Sequence, residues 1–199
     1  MAKNESFQSL FDKFRMDPNI AGKSKTWYEQ QALLLSGKQR FLTPNKVMNN
    51  EADRLKGKIA PGKLFMFLYD PKTKDKLPYY DLFPLVFPYQ KIPGGFMGLN
   101  MHYLPYQLRV RLLDRLMMFA SNSKLDETTR IRYSWETISG LSKFNLAKPC
   151  IKHYLDSHVK SQFKFVPASD WSTAMMLPVE RFVGAKKETV WADSIRKTR

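Results

Sequence analysis

The sequence predicts an α+β protein in which several helices flank one small β unit. The first observation is the run 63–69, in which an apolar and aromatic stretch follows Lys63, between Pro61-Gly62 and Asp70-Pro71. Its length and the breakers on both sides favour a buried strand over a helix. The second observation is that apolar residues before and after this region recur at helical spacing. We therefore expect a β unit over residues 61–104, with helices on either side of it.

We expect two further strands inside the β unit. Residues 70–75 have the chemistry of a turn, because Asp bonds to nearby backbone and Pro presets φ. The run 82–88 contains two prolines, which remove backbone donors and predict an edge or bulged strand. A turn at 93–95 then leads into a strand over 96–101, where Gly98 indicates a bulge or a close backbone approach. Short aromatic strands of this kind are typical of a meander or of an SH3-like, partly open barrel.

Residues 1–60 are expected to form a helical arm rather than a second core. Four apolar side chains near its start follow the spacing i, i+3, i+4, i+7, which places them on one face of a helix. A helix this short is marginal alone, so it is expected to dock on the body or on a partner. The candidate docking residues are Phe7, Leu10, Phe11 and Phe14.

Helices are expected through most of residues 105–182. Pro105 stands where a proline in the first turn of a helix belongs. Asp126 is a candidate N-cap for a helix that ends at Gly140. Lys148-Pro149 is expected to start another helix that reaches Val159. These helices complete a core domain over residues 61–182.

Two shorter elements and a tail are expected after that helix. Polar and apolar residues alternate over 162–166, which predicts a short strand. A turn of helix follows around Trp171. Residues 183–199 are expected to be a basic tail, anchored by Val190 and Trp191.

The chain carries a large excess of positive charge. Its 33 Lys and Arg against 18 Asp and Glu give a formal net charge of +15. This excess predicts an anionic partner, which is nucleic acid, an acidic protein surface or anionic lipid. The competing interpretation is a basic protein packed beside acidic neighbours in a large assembly. We expect no membrane partner, because no apolar run is long enough to span a bilayer and no signal peptide is recognisable.

Basic and aromatic residues in three segments are candidate contacts for a nucleic-acid backbone. The first turn interleaves lysines with tyrosines, which offers charge and base stacking together. An arginine stripe follows Pro105, and the C-terminal end is basic. The competing interpretation for each segment is an ordinary solvated surface. The candidates are Lys72, Lys74, Lys76, Tyr79, Tyr80, Arg109, Arg111, Arg115, Lys186, Lys187, Arg196 and Lys197. Binding of this kind is driven by the backbone and is sensitive to salt.

The sequence contains no recognisable catalytic constellation. Cys150 and His153 share a face if their segment is helical, but two ligands do not make a zinc site. A nucleophile elbow and a phosphate-binding glycine loop are both missing from the sequence. We therefore predict no catalytic residue, no metal and no cofactor. The lone Cys150 rules out an intrachain disulfide and agrees with a reducing compartment.

One enzymatic alternative stays open, a metal-dependent nuclease. Such enzymes hold Mg²⁺ with clustered carboxylates. Asp70, Asp75 and Asp81 surround the first turn and are the candidate ligands. The competing interpretation is that they form the turn and pair with its lysines.

Several segments resemble small proteins encoded by marine T-even-like myoviruses, which are contractile-tailed bacteriophages. The resemblance rests on Pro61-Gly62-Lys63 with Tyr69-Asp70, on Leu77-Pro78-Tyr79-Tyr80-Asp81 with Phe83-Pro84-Leu85-Val86, on Gly98-Leu99-Asn100-Met101-His102-Tyr103-Leu104-Pro105, and on similar patterns at 148–151 and 178–182. It implies a virion or virion-assembly protein found in the virion or the host cytoplasm, with other virion proteins as partners. DNA-end or packaging-associated proteins and neck or baseplate parts are both implied candidates.

These observations together predict a non-enzymatic phage structural or assembly protein of the tail, neck or baseplate. Its basic surface is expected to contact the backbone of double-stranded DNA or acidic partner proteins. The first alternative is a nuclease-like factor that packages DNA or protects its ends. The second alternative is an adaptor associated with a polymerase.

Overall fold

The computed structural model describes residues 55–106, 108–110, 112–113, 116, 124–141, 145–168, 171–176 and 179–197. The predicted docking residues Phe7, Leu10, Phe11 and Phe14 lie outside these described residues. Arg111 and Arg115 of the predicted arginine stripe also lie outside them.

Helices and antiparallel strands alternate along the described chain, which confirms the α+β class. The strands are β1 (Leu55–Lys56), β2 (Leu64–Met66), β3 (Tyr80–Asp81), β4 (Leu85–Ile92), β5 (Gly95–Asn100), β6 (Ile151–Leu155), β7 (Phe163–Val166) and β8 (Phe182–Val183). The α-helices are α1 (Glu127–Leu141), α2 (Trp171–Met176) and α3 (Lys187–Lys197). Short 3₁₀ helices span Lys74–Lys76, Met101–Tyr103, Asn145–Cys150 and Asp156–His158. Residues 106, 108–110, 112–113 and 116 are also helical.

Six strands form one antiparallel sheet in the order β1-β7-β2-β4-β5-β6, and β3 pairs separately with β8. The order ends at β1 and β6, so the described strands form an open sheet and not a closed barrel. The finer likeness to an SH3-like unit stays a prediction. Strands β2, β4 and β5 come from the predicted β unit, whereas β6 and β7 come from the C-terminal half.

The sheet is buried on both faces along β2, which explains its uninterrupted apolar sequence. Successive side chains of a strand point to opposite faces. Leu64 and Met66 accordingly join the larger cluster, which contains the helices, while Phe65 and Phe67 join a smaller aromatic cluster. In the smaller cluster, the Phe67 ring lies 5.2 Å from the Tyr154 ring, edge to face. This geometry is the preferred one for aromatic pairs.

Strand β4 is bulged, as predicted, but it does not lie at an edge. It sits between β2 and β5, and its register with β5 shifts between Pro88 and Gln90. The prediction of an edge or bulged strand is confirmed in its second form, because the bulge accommodates the proline inside the sheet. Gly98 pairs with Pro88, and a Cβ added to Gly98 would lie 2.3 Å from Val86 Cγ1. The predicted close approach at Gly98 is therefore confirmed.

The helix predicted from Lys148 to Val159 is wrong, because this segment forms the edge strand β6. A 3₁₀ helix ends at Cys150, and β6 then pairs with β5 from Leu99↔Ile151 to Gly95↔Leu155. The open edge of β5 supplies backbone partners that local periodicity does not reveal. Cys150 is buried whereas His153 is exposed, so the two do not share a helical face.

Other local predictions are confirmed. Asp126 caps α1, since its Oδ1 accepts a hydrogen bond from the Thr129 backbone N–H at 2.9 Å. The short strand β7 and the helical turn α2 occur where they were expected. The expected anchors Val190 and Trp191 are buried, and the residues around them form the helix α3, which was not predicted. Trp191 Nε1 donates to the His102 carbonyl at 2.8 Å, which ties α3 to the core.

Candidate anion-binding site

A buried polar network fixes the residues that lead into the site. Asp81 Oδ2 lies 2.7 Å from His102 Nδ1 and accepts from Asn100 Nδ2 at 3.0 Å. Asp81 Oδ1 accepts from the Phe83 backbone N–H, also at 3.0 Å. Asn100 donates further to the Tyr154 hydroxyl at 3.1 Å. These bonds tie β3 to β5 and β6 beside a cleft that Asp81, Asn100 and Tyr154 help to line.

The first opening, called the tyrosine cleft, has a volume of about 400 Å³. Tyrosine rings, the polar network and several basic or turn residues line it. The lining residues include Tyr69, Lys72, Tyr80, Asp81, Asn100, Tyr103, Lys152, His153 and Tyr154.

The second opening, called the lysine cleft, has a volume of about 360 Å³ and is lined by Tyr79, Lys148, Pro149, Lys152 and Lys197. Its three lysines come from different elements. Lys148 lies in the 3₁₀ helix before β6, Lys152 lies on β6, and Lys197 is the last residue of α3. Because Lys152 lines both openings, the two clefts are neighbours.

Lys152 has an unusual environment for a lysine. Its Nζ lies 3.9 Å from the centroid of the Tyr103 ring, a cation–π contact. Desolvation lowers the pKa of Lys152 to about 8, and the nearby Lys197 ammonium adds to this effect. Cys150, Asp193 and Asp81 act in the opposite direction without reversing it. The positive charge of Lys152 is therefore poorly compensated inside the protein.

Asp193 binds two of the residues that line the lysine cleft. Its carboxylate accepts from the Tyr79 hydroxyl at 2.5 Å and from Lys197 Nζ at 2.6 Å, and it also pairs with Arg196. Hydrogen bonds from Lys197, Tyr79 and Arg196 hold the pKa of Asp193 well below its usual range. Asp193 is therefore ionised at neutral pH and holds Tyr79 and Lys197 in place.

The two clefts collect four of the predicted contact residues. Tyr79 and Lys197 line the lysine cleft, and Lys72 and Tyr80 line the tyrosine cleft. The remaining described candidates lie elsewhere. Lys74 is paired with Asp70 at 3.0 Å, Lys187 lies 3.6 Å from Glu180, and Lys76, Lys186 and Arg196 are exposed outside both clefts.

The prediction that Arg109 contacts a nucleic-acid backbone is wrong, because Arg109 is fully buried and cannot reach a phosphate. Its guanidinium donates to the carbonyls of Leu104 at 2.7 Å, Met175 at 2.9 Å and His102 at 3.1 Å, and it lies 3.4 Å from Glu180. Arginine carries five donors, which suits it to join several carbonyls in a core. Helical periodicity placed Arg109 on a basic surface, but packing made it part of the interior.

Lys148, Lys152 and Tyr103 belong to the clefts but were not among the predicted contacts. The prediction of a helix over residues 148–159 gave no indication that Lys152 lies beside the β unit. In the observed register Lys152 pairs with Gly98, close to Tyr103 along the chain. In the sequence, two lysines near an apolar run are only a weak indication of a binding site. Their role becomes recognisable from the strand pairing.

The carboxylates proposed for a nuclease are not gathered into one site. Asp70 pairs with Lys74, Asp75 is exposed on the turn, and Asp81 is buried against His102. Within the described ranges, no three or more His, Cys, Asp or Glu side chains are placed to hold a metal ion. The helices described here also include none long and apolar enough to cross a bilayer.

Comparison with known proteins places the chain in a family. No curated protein and no solved structure matches it. Residues 37–197, however, match the family model described as "Phage T4 terminal DNA protecting protein". The matched region is more than half of the 199 residues and contains every described strand as well as both clefts. The phage resemblance is thereby supported at the level of a T4-like phage protein, and the chain belongs to the family of the phage T4 terminal DNA protecting protein.

Proposed function

We propose that this protein binds the ends of linear double-stranded DNA and shields them, acting by binding and not by cutting. The observation that carries the proposal is the family match over residues 37–197, whose description names the protection of terminal DNA. This function corresponds to the end-protecting alternative of the sequence analysis, without its nuclease component.

The charge and the clefts support this proposal physically. A net charge of +15 favours association with the phosphate backbone through the release of counterions. That term alone does not distinguish an end from the interior of a duplex. A concave site can distinguish an end from the interior of a duplex. Only an end can place a terminal phosphate and the open face of the last base pair inside such a site. The lysine and tyrosine clefts are concave, adjacent and lined by basic and aromatic side chains.

The test compares a blunt linear duplex with the same sequence closed by hairpin loops at both ends. We expect tighter binding to the linear duplex in an anisotropy titration. We also expect a longer half-life of the linear duplex under a double-strand exonuclease when the protein is added. Equal affinity for the two duplexes, with an unchanged half-life, would overturn the proposal. Shortening of the linear duplex by the pure protein with Mg²⁺ would restore the nuclease alternative.

The role in a tail, neck or baseplate stays a hypothesis alongside the proposed one. Its test is fractionation of purified particles followed by detection of the protein in each subassembly. The same experiment bears on a location in the virion. The adaptor hypothesis predicts a stable complex with a polymerase, and the described residues provide no particular support for it.

A further inference from the structure

We propose that the lysine cleft binds the terminal phosphate monoester of a DNA strand and thereby marks a phosphorylated end. This inference rests on the proposed function, since it names the chemical group that end binding would recognise. The ligand class is a phosphate monoester, carried at either the 5′ or the 3′ terminus.

The first argument is the convergence of charge. Lys148, Lys152 and Lys197 line one cleft, and the described lining residues include no carboxylate. Asp193 lies behind the rim, bound to Tyr79 and Lys197, so it fixes two of the lining residues. Lysine is a compact point charge that binds phosphate without a fixed fork geometry. Lys197 is already paired with Asp193, so the cleft offers an anion this paired ammonium together with the ammonium groups of Lys148 and Lys152.

The second argument is the difference between an end and the interior of a strand. An internal phosphodiester carries a single negative charge, whereas a monoester carries between about 1.5 and 2 negative charges at pH 7. A cleft with three lysines therefore prefers the monoester. The volume of about 360 Å³ leaves room for the phosphate together with the sugar that carries it.

The third argument is the incomplete compensation of Lys152. Its ammonium is half-buried on the Tyr103 ring, and burial lowers its pKa to about 8. The charged or titratable groups that face it are Tyr79, Asp81, Tyr103, Lys148, Cys150, Asp193 and Lys197. A bound phosphate would restore the stabilisation that the ammonium loses on leaving water. A bound anion would therefore stabilise the charged form of Lys152.

The experiment uses the full chain and duplexes closed by a hairpin loop at one end. The open end carries a 5′-phosphate, a 3′-phosphate or only hydroxyls. We expect one phosphorylated end to bind about tenfold more tightly than the hydroxyl end, as one charge-assisted contact would give. The position that gives this preference identifies the terminus.

Two cleft variants and one matched control accompany the wild type. Lys152→Met keeps the apolar stem over Tyr103 and removes the charge, so we expect the preference to fall to about twofold or less. Lys148→Gln acts at an exposed position, which protects the test against a folding defect, and should lower the preference about threefold. Lys91→Gln removes the same charge from an exposed site on β4 outside both clefts and should leave the preference unchanged.

The pH dependence of the preference for a phosphorylated end distinguishes an anion-binding Lys152 from a lysine with a purely structural role. The preference should weaken above about pH 8, where Lys152 loses its proton. It should also weaken below about pH 6, where the phosphate gains its second proton. In Lys152→Met the alkaline decline should be absent.

The outcomes separate the two proposals. A wild type that binds open ends better than closed ones, but treats phosphate and hydroxyl ends alike, overturns the phosphate site and leaves end binding intact. A preference that survives in both cleft variants also overturns it. A wild type without any preference for open ends overturns the proposed function and the phosphate site together.

Discussion

Arg109 and Lys152 show how the surroundings of a basic residue decide its role. Arg109 is fully buried, and its donors are taken by the carbonyls of Leu104, Met175 and His102. Lys152 keeps one side on a cleft and makes a cation–π contact with Tyr103. The first residue is bound to the protein itself, whereas the second can still gain from a bound anion.

Replacing Arg109 with Met should destabilise the protein by about 3–5 kcal/mol, because it takes the Arg109 donors from the buried Leu104 and Met175 carbonyls and removes one of the two cations beside buried Glu180. Urea denaturation followed by tryptophan fluorescence measures this change in the free energy of unfolding. The control is Arg132→Met, which breaks an exposed pair with Glu136 on α1 and should cost about 0.5 kcal/mol or less. Equal stability of the two variants would contradict the buried role of Arg109.

Cys150 is predicted to be unreactive in the native protein. It is buried, and desolvation raises the pKa of its thiol to about 12. Because the thiolate is the nucleophile, its reaction with an aromatic disulfide at pH 8 should be on the order of a thousandfold slower than in urea. Absorbance of the released thiol measures both rates. A fast stoichiometric reaction of the folded protein would show that the site is open.

At the scale of the elements, β5 determines where its neighbours lie. Its two glycines let adjacent strands approach closely, since a Cβ on Gly95 would lie 2.0 Å from the Tyr154 carbonyl oxygen. The pairing of β6 with β5 then brings Lys152 beside the clefts. Helix α3, which follows β6 later in the chain, completes the lysine cleft and is held in place by Trp191.

Gly98→Ala should destabilise the protein by about 1–3 kcal/mol, since overpacking of a tight core site is unfavourable. The new methyl would lie 2.3 Å from Cγ1 of Val86, a stiff β-branched side chain with no exposed surface. The matched control is Gly140→Ala, inside α1, where no atom of the described residues beyond the adjacent helix backbone lies within 4 Å of the added Cβ. It should stabilise the helix by about 0.5 kcal/mol. The urea midpoints of both variants decide the result, and a Gly98→Ala protein as stable as the wild type would contradict the packing argument.

At the scale of the whole molecule, the proposed DNA binding would draw its strength from the charge of +15 and its location from the clefts. Contacts with phosphates release counterions, so the affinity falls with added salt at a slope of about −0.9 per phosphate. Several basic residues contribute to this slope, each by about 1 for the phosphate that it neutralises.

The affinity for a linear duplex should fall about tenfold to a hundredfold between 50 and 200 mM salt, as expected for a few phosphate contacts. Lys152→Met should reduce the slope of log K against log salt by about 1 on a phosphorylated end. Lys91→Gln should reduce it less on the same substrate, because Lys91 lies outside both clefts. Anisotropy titrations at several salt concentrations provide the slopes, and affinity independent of salt would contradict a binding mode based on phosphates.

The sequence by itself determined the α+β class, the cap at Asp126, the close approach at Gly98 and the excess of positive charge. Each of these depends on local spacing or composition, which the order of residues states directly. Only the tertiary structure decided that residues 151–155 form an edge strand, that Arg109 is buried and that Lys148, Lys152 and Lys197 meet in one cleft. These features depend on pairing and packing between residues far apart in the chain, and local periodicity carries no information about such partners.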